Sequence, residues 1–126
     1  MRRKRSGKTV LVVDDDEKIR KMLSFLFMAQ GFRIEEAENG AAAFEKLKEA
    51  SPDVIIVDLM MPVMDGFEFC KKIREDDHYK STPLIILSAL SASEYKSRLE
   101  ALDIYGCFEK PFQASHILQM ALEAIQ

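Results

Sequence analysis

Three aspartates stand in a row at Asp14, Asp15 and Asp16, directly after the apolar run Val10–Val13. A fourth, Asp58, follows the run Val54–Val57. Crowded carboxylates raise one another's pKa and resist burial, so a cluster of this kind needs a counter-charge. A hard divalent cation supplies it. Magnesium takes octahedral oxygen ligands, keeps several waters, and is commonly held by one or two carboxylates plus a phosphate. Asp15 and Asp58 suit direct ligation, Asp14 ligates directly or through a water, and the Met60 backbone carbonyl completes the set. Manganese is the natural substitute, sharing the preference for oxygen ligands.

Two further polar residues close apolar runs, Ser88 after Leu84–Leu87 and Lys110 after Gly106–Glu109. Lys110 is a point charge that can pair with Asp58 in an empty site and with a phosphoryl oxygen in an occupied one. Ser88 offers that same group a hydroxyl. A carboxylate nucleophile flanked by a divalent cation, a lysine and a hydroxyl is the equipment for forming an aspartyl-phosphate. The cation and lysine neutralise the transferring group while the carboxylate attacks in line.

For this chemistry the five positions must share one rim, and the periodicity of the chain provides it. The runs Val10–Val13, Val54–Val57 and Leu84–Leu87 are short, continuous and rich in β-branched residues, the pattern of parallel strands buried on both faces. Weaker strands fit Arg33–Ala37 and Gly106–Glu109. Helical spacing separates them: Ile19, Met22, Leu23 and Leu26; Ala43, Leu47 and Ala50; Phe69, Cys70 and Ile73; Tyr95, Leu99 and Leu102; Leu118, Ala121, Leu122 and Ile125. Gly31 stops the first helix, Ser51-Pro52 the second, and Ser91-Ala-Ser-Glu94 is a capping box for the fourth. Phe25 and Phe27 lie off the main apolar face of the first helix, and one of them is a candidate exposed contact residue. Five strand–helix units predict an α/β fold. It is a doubly wound five-stranded parallel sheet, flavodoxin-like in order 2-1-3-4-5, with five helices. Ligands of such sheets bind at the carboxyl ends of the strands, between strands 1 and 3, where Asp14, Asp15 and Asp58 converge.

The chain has 126 residues, 48% hydrophobic and 31% charged, as expected of one globular domain. Five positives at Arg2, Arg3, Lys4, Arg5 and Lys8 against a net charge of −3 leave the remainder at −8. An acidic body argues against direct nucleic-acid binding. No apolar stretch is long enough to span a membrane. Residues 1–7 are expected to form a flexible basic tail and residues 8–126 the domain. Cys70 and Cys107 lack metal-ligand spacing and read as free thiols, and His78 and His116 as surface histidines. Asp16 reads as a helix cap rather than a ligand, and Asp65-Gly66 as a turn and helix start.

The stretches VLVVDDDEKIR, DVIIVDLMMPVMDGFEF, PLIILSAL and FEKPF, in this order, resemble the receiver domains of bacterial two-component response regulators. The resemblance covers roughly Lys8 to Gln126. It implies that Asp58 is the phosphoacceptor and that Asp14 and Asp15 hold magnesium, with Met60 giving a backbone carbonyl. It implies that Ser88 hydrogen-bonds the phosphoryl group and moves on activation, that Lys110 is the family's lysine, and that Lys110-Pro111 is cis. It further implies a phosphoryl donor, either a histidine kinase or a histidine phosphotransfer protein, and a cytoplasmic signalling phosphoacceptor that catalyses only its own phosphorylation and dephosphorylation. The output is a downstream protein target or a covalently linked output domain, and the chain is either a stand-alone receiver of the chemotaxis or sporulation type or the receiver of a longer regulator. The resemblance allows a phosphorylation-dependent dimer and implies no membrane contact.

One position departs from the family. Three residues before the lysine, where receivers carry a switch aromatic, stands Cys107, with Phe108 beside it. Ser88 and Cys107 are therefore the candidate switch positions. Met60 and Leu90, where the family tunes dephosphorylation, are apolar and cannot orient an attacking water, which predicts a long-lived phosphoryl group. Two rival readings are weaker. A phosphohydrolase of the haloacid dehalogenase type shares the Asp14-x-Asp16 pattern but not the residue at Lys18, and a non-phosphorylated pseudo-receiver would lack part of the five-residue set.

Overall fold

Five-residue strands that are buried along their whole length need neighbours on both edges and both faces. Three segments meet that description: β1 (Thr9–Val13), β3 (Val54–Asp58) and β4 (Leu84–Ser88). They form the centre of the sheet. The more polar β2 (Arg33–Ala37) and β5 (Gly106–Glu109), only partly buried, are its edges. The structure is a computed structural model describing residues 7–61, 64–89 and 97–125. All strands pair in parallel, in the order β2-β1-β3-β4-β5. The helices are α1 (Glu17–Ala29), α2 (Gly40–Glu49), α3 (Gly66–Glu75), α4 (described over residues 97–100) and α5 (Ala114–Ala124). The expected doubly wound architecture is the one observed.

Side chains alternate across the sheet, so it has two apolar layers. Leu11, Val13, Ile55, Val57, Leu84 and Ile86 face α2, α3 and α4, meeting Leu47, Phe69, Cys70, Ile73 and Leu99. Val10, Val12, Val54, Ile56, Ile85 and Leu87 face α1 and α5, meeting Leu23, Phe27, Ile117 and Ala121. Each Val, Leu, Ile or Phe side chain among them, fully removed from water, contributes about 1.5–3 kcal/mol. Gly31, at φ 94°, adopts the left-handed conformation that ends α1 and turns the chain into β2.

The inner stripe of α1 differs from the one its periodicity predicts. Met22 is exposed and Phe27 is fully buried, with its ring 5.2 Å from that of Phe32 in an edge-on contact. The stripe runs through Leu23, Ser24 and Phe27. A polar residue, Ser24, lies on the buried face because Glu36 of β2 accepts its hydroxyl hydrogen bond at 3.0 Å. That rotation leaves Phe25, 79% exposed, pointing outward with Met22 and Met28.

The expected basic tail, apart from Gly7, lies outside the described residues, as do Leu90, the capping box at Ser91–Glu94 and Tyr95. Cys70 and Cys107 are free thiols, and both His78 and His116 are exposed. Among the described residues no helix is long and apolar enough to cross a membrane.

Candidate functional site

Val13 and Val57 pair across β1 and β3, so Asp14 and Asp58 are the next residues out on neighbouring strands. Parallel register alone therefore brings two carboxylates side by side at the carboxyl edge of the sheet. Asp14 is fully buried and Asp58 nearly so. Asp15 follows on the exposed side, and one carboxylate oxygen from each of Asp14, Asp15 and Asp58 lies within 4.8 Å of the others. Asp16 does not join them. Its side chain accepts from the Lys18 amide at 2.9 Å and caps α1, as its position suggested.

Among the described residues a single ammonium faces this group. Lys110 Nζ lies 3.3 Å from Asp14 Oδ2 and 3.4 Å from Asp58 Oδ2. The remaining oxygens take backbone amides: Asp16 N donates to Asp14 Oδ1 at 2.9 Å and Met60 N to Asp58 Oδ1 at 3.2 Å. Burial pushes the Asp14 carboxyl up to about 6; the Asp16 amide opposes this, the Asp58 charge adds to it, and Lys110 opposes it again. Asp58 is raised as well, by burial and the Asp15 charge, against Lys110 and the Met60 amide. Lys110 is held above its ordinary value: burial works against its charge, and the Asp14 and Asp58 charges outweigh it.

Three carboxylates against one lysine leave the pocket short of positive charge. The donors are all hard oxygens, two of them partly desolvated, and this is the set that suits magnesium rather than a softer ion. The residues present fit the cation.

Ser88 ends β4 and is buried, one residue beyond Leu87, which pairs with Asp58. Its carbonyl accepts from Lys110 N at 2.7 Å, tying the ends of β4 and β5 together just before the cis Lys110-Pro111 bond. Cys107 pairs with Ile86 and is exposed, so it is separate from the carboxylate cluster. The Met60 side chain is also exposed, 54%, beside the site.

Two features escaped the sequence reading. Gly66, taken there as an ordinary turn glycine, packs against the backbone of Asp58 and Leu59, and its amide donates to Leu59 O at 2.9 Å. The Asp-Gly pair was legible, but the close approach was not. Arg20 donates through Nη1 to the Asp14 carbonyl at 2.8 Å and through Nε to Glu36 at 3.3 Å. An arginine on an amphipathic helix carries no signal of such a contact.

Comparison with known proteins adds the following. The family model of the response regulator receiver domain matches residues 10–122. The transcriptional regulatory protein ResD of Bacillus subtilis is 48% identical over 80 residues, covering 64% of this chain and 32% of ResD. Protein PilG of Pseudomonas aeruginosa is 33% identical over 120 residues, covering 94% of this chain and 87% of PilG. The chain thus spans about a third of one curated relative and most of another. The chemotaxis protein CheY4 of Vibrio cholerae superposes with a TM-score of 0.87 at 37% identity, covering 94% of this chain and 99% of that one. The response regulator TrrA of Thermotoga maritima, solved in complex with Mg(2+)-BeF, superposes with a TM-score of 0.80 at 31% identity, covering 93% and 98%.

Proposed function

Because this chain belongs to the response regulator receiver domain family, we propose that Asp58 is its phosphoacceptor and that residues 8–126 act as one phosphorylation-controlled signalling unit. The observation that carries this reading is Lys110 Nζ, held between Asp58 Oδ2 at 3.4 Å and Asp14 Oδ2 at 3.3 Å with Asp15 alongside.

A phosphohistidine of a sensor kinase or phosphotransfer protein is the donor. A carboxylate oxygen of Asp58 attacks phosphorus in line; the new P–O bond forms as the P–N bond breaks. The released electron pair returns to the imidazole nitrogen, which takes up a proton. Lys110 turns from the carboxylates to a phosphoryl oxygen, and the Ser88 hydroxyl donates to another. Asp14, Asp15, Asp58 and the Met60 carbonyl would hold magnesium, or manganese in its place, which supplies neutralising charge to the phosphoryl oxygens. The protein catalyses its own phosphorylation and dephosphorylation and turns over no other substrate.

The outward side chains of α1, Met22, Phe25 and Met28, give a donor protein an apolar surface on the helix that begins beside Asp15. Phosphorylation shifts a two-state equilibrium, with Ser88 and position 107 as its moving parts. A downstream protein or a linked output domain reads the result from the face of β5, α4 and α5, where a phosphorylation-dependent dimer would also form. The exposed apolar Met60 cannot direct a water at the acyl phosphate, which supports a long phosphoryl lifetime. The acidic body and the chemistry suit the cytoplasm.

The test is incubation with acetyl phosphate and magnesium. Intact-mass measurement is expected to find one added phosphoryl group on the wild type and none on Asp58→Asn. Equal labelling of the two proteins would overturn the assignment.

A further inference from the structure

We propose that Arg20, held in place by Glu36, is a positioning residue that fixes the Asp14–Asp15 peptide for cation binding. The inference rests on the reading of Asp14 and Asp15 as cation ligands and names a residue outside that set.

Asp14 is gripped on both sides. Its amide donates to Ala37 O of β2 at 3.0 Å, and its carbonyl accepts from Arg20 Nη1 at 2.8 Å. The second contact sets the orientation of the peptide plane from which Asp15 departs, and therefore where the Asp15 carboxylate can reach. Arg20 is itself fixed. Its Nε donates to Glu36 Oε1 at 3.3 Å, while Glu36 Oε2 accepts from Ser24 Oγ at 3.0 Å and Lys21 Nζ at 3.3 Å. Both partners are largely shielded, with Arg20 14% and Glu36 23% exposed.

An ion pair at a protein surface contributes little and gives little reason to set two polar side chains beside the buried stripe of α1. A planar guanidinium does something an ammonium cannot: it engages a carboxylate and a carbonyl at once, in fixed directions. The chain of contacts from β2 through Glu36 and Arg20 to Asp14 makes the loop between β1 and α1 rigid where ligands must be pre-set. Outer partners of this kind typically hold metal affinity by 10–100-fold.

The test is calorimetric titration of the full chain with magnesium. The proteins are the wild type, Arg20→Ala, Arg20→Lys, Glu36→Gln, the double variant Arg20→Ala/Glu36→Gln, and Ile73→Val. All are first confirmed folded by circular dichroism. Arg20→Ala is expected to raise the magnesium Kd about tenfold, and Arg20→Lys to fall between it and wild type. Glu36→Gln should weaken binding about threefold, and that effect should vanish once Arg20 is already alanine. Ile73→Val, a core change in α3, should lower Tm while leaving Kd unchanged. Wild-type Kd in Arg20→Ala, additive effects in the double variant, or loss of affinity in Ile73→Val would each overturn the role of Arg20. If the wild type itself binds no magnesium, the reading of the carboxylate site falls, and the Arg20 assignment with it.

Discussion

Gly66 backs directly onto Asp58: a side chain at position 66 would run into the Asp58 carbonyl oxygen and come within 2.6 Å of Leu59 Cα. Neither neighbour is a flexible side chain, so the backbone itself would have to move. Gly66→Ala is therefore expected to destabilise the fold by about 1–3 kcal/mol, as overpacking does. It should also slow labelling of Asp58 by acetyl phosphate, because the shift falls on the strand end that carries the proposed phosphoacceptor. Urea denaturation and a labelling time course measure the two effects. Wild-type stability with wild-type labelling would show that the loop relaxes freely.

How much of this was legible in the sequence depends on the range of the force involved. Strand positions followed from local burial pattern, and strand register then brought Asp14 beside Asp58, so the carboxylate site was readable. Contacts between elements were not. The stripe of α1 was expected through Met22 but runs through Ser24, because a glutamate on β2 offers that serine a partner. Gly66 was read as turn chemistry, since nothing local reveals that a strand end lies against it. Arg20 and Arg74 were not singled out, because a single arginine on a helix has the same local pattern whether it is solvated or collecting carbonyls.

Acid should stabilise the protein when no divalent cation is present. The folded-state pKa of Asp14, about 6, lies above the ordinary aspartate value of 3.8. The extra proton affinity of the folded state is fully in force below about 3.8 and is lost as pH rises through 6. Asp58 is shifted in the same direction. With chelator present, Tm is expected to rise on going from pH 7.5 to 5.5, and Asp14→Asn should flatten most of that slope. At pH 7.5, saturating magnesium should also raise Tm, since a ligand at 100 times its Kd adds about 2.7 kcal/mol. A falling Tm on acidification, or no response to magnesium, would contradict the account of the site as short of positive charge.

The two thiols should separate by reactivity. Cys70 is fully buried in α3, and burial pushes its thiol up to about 12, with the Arg74 charge pulling the other way. Cys107 is exposed on β5. Native protein at pH 8 is expected to release about one equivalent of thionitrobenzoate from Ellman's reagent, and a second only in denaturant. Because the unfolded thiol ionises near 9 and the folded one does not, stability should also decline above pH 9. Two fast equivalents in the native state would mean that α3 opens far more readily than its packing implies.

Arg74 is the last residue whose geometry makes a definite demand. Its guanidinium donates to five carbonyls: Leu102 at 2.7 Å, Thr82 at 2.8 Å, Lys80 and Asp103 at 3.0 Å, and Tyr79 at 3.4 Å. These belong to the turn after α3 and to the turn before β5, so one side chain joins two loops. Asp103, one of the acceptors, has φ 52°, a conformation that costs a non-glycine residue about 1 kcal/mol or more. Burial lowers the Arg74 pKa, with the Asp103 charge opposing, which fits a cation partly removed from water and compensated by carbonyl dipoles. Removing it would orphan several acceptors at once. Arg74→Ala is expected to destabilise by about 2–4 kcal/mol, and Arg74→Lys by most of that amount, because an ammonium keeps the charge but cannot reach both turns. Urea titration gives the free energies, and hydrogen exchange should show the Tyr105 amide, which donates to Leu84 O at 2.9 Å, opening sooner in both variants. If Arg74→Lys matches the wild type, charge alone holds the two turns, and the forked hydrogen bonding contributes nothing of its own.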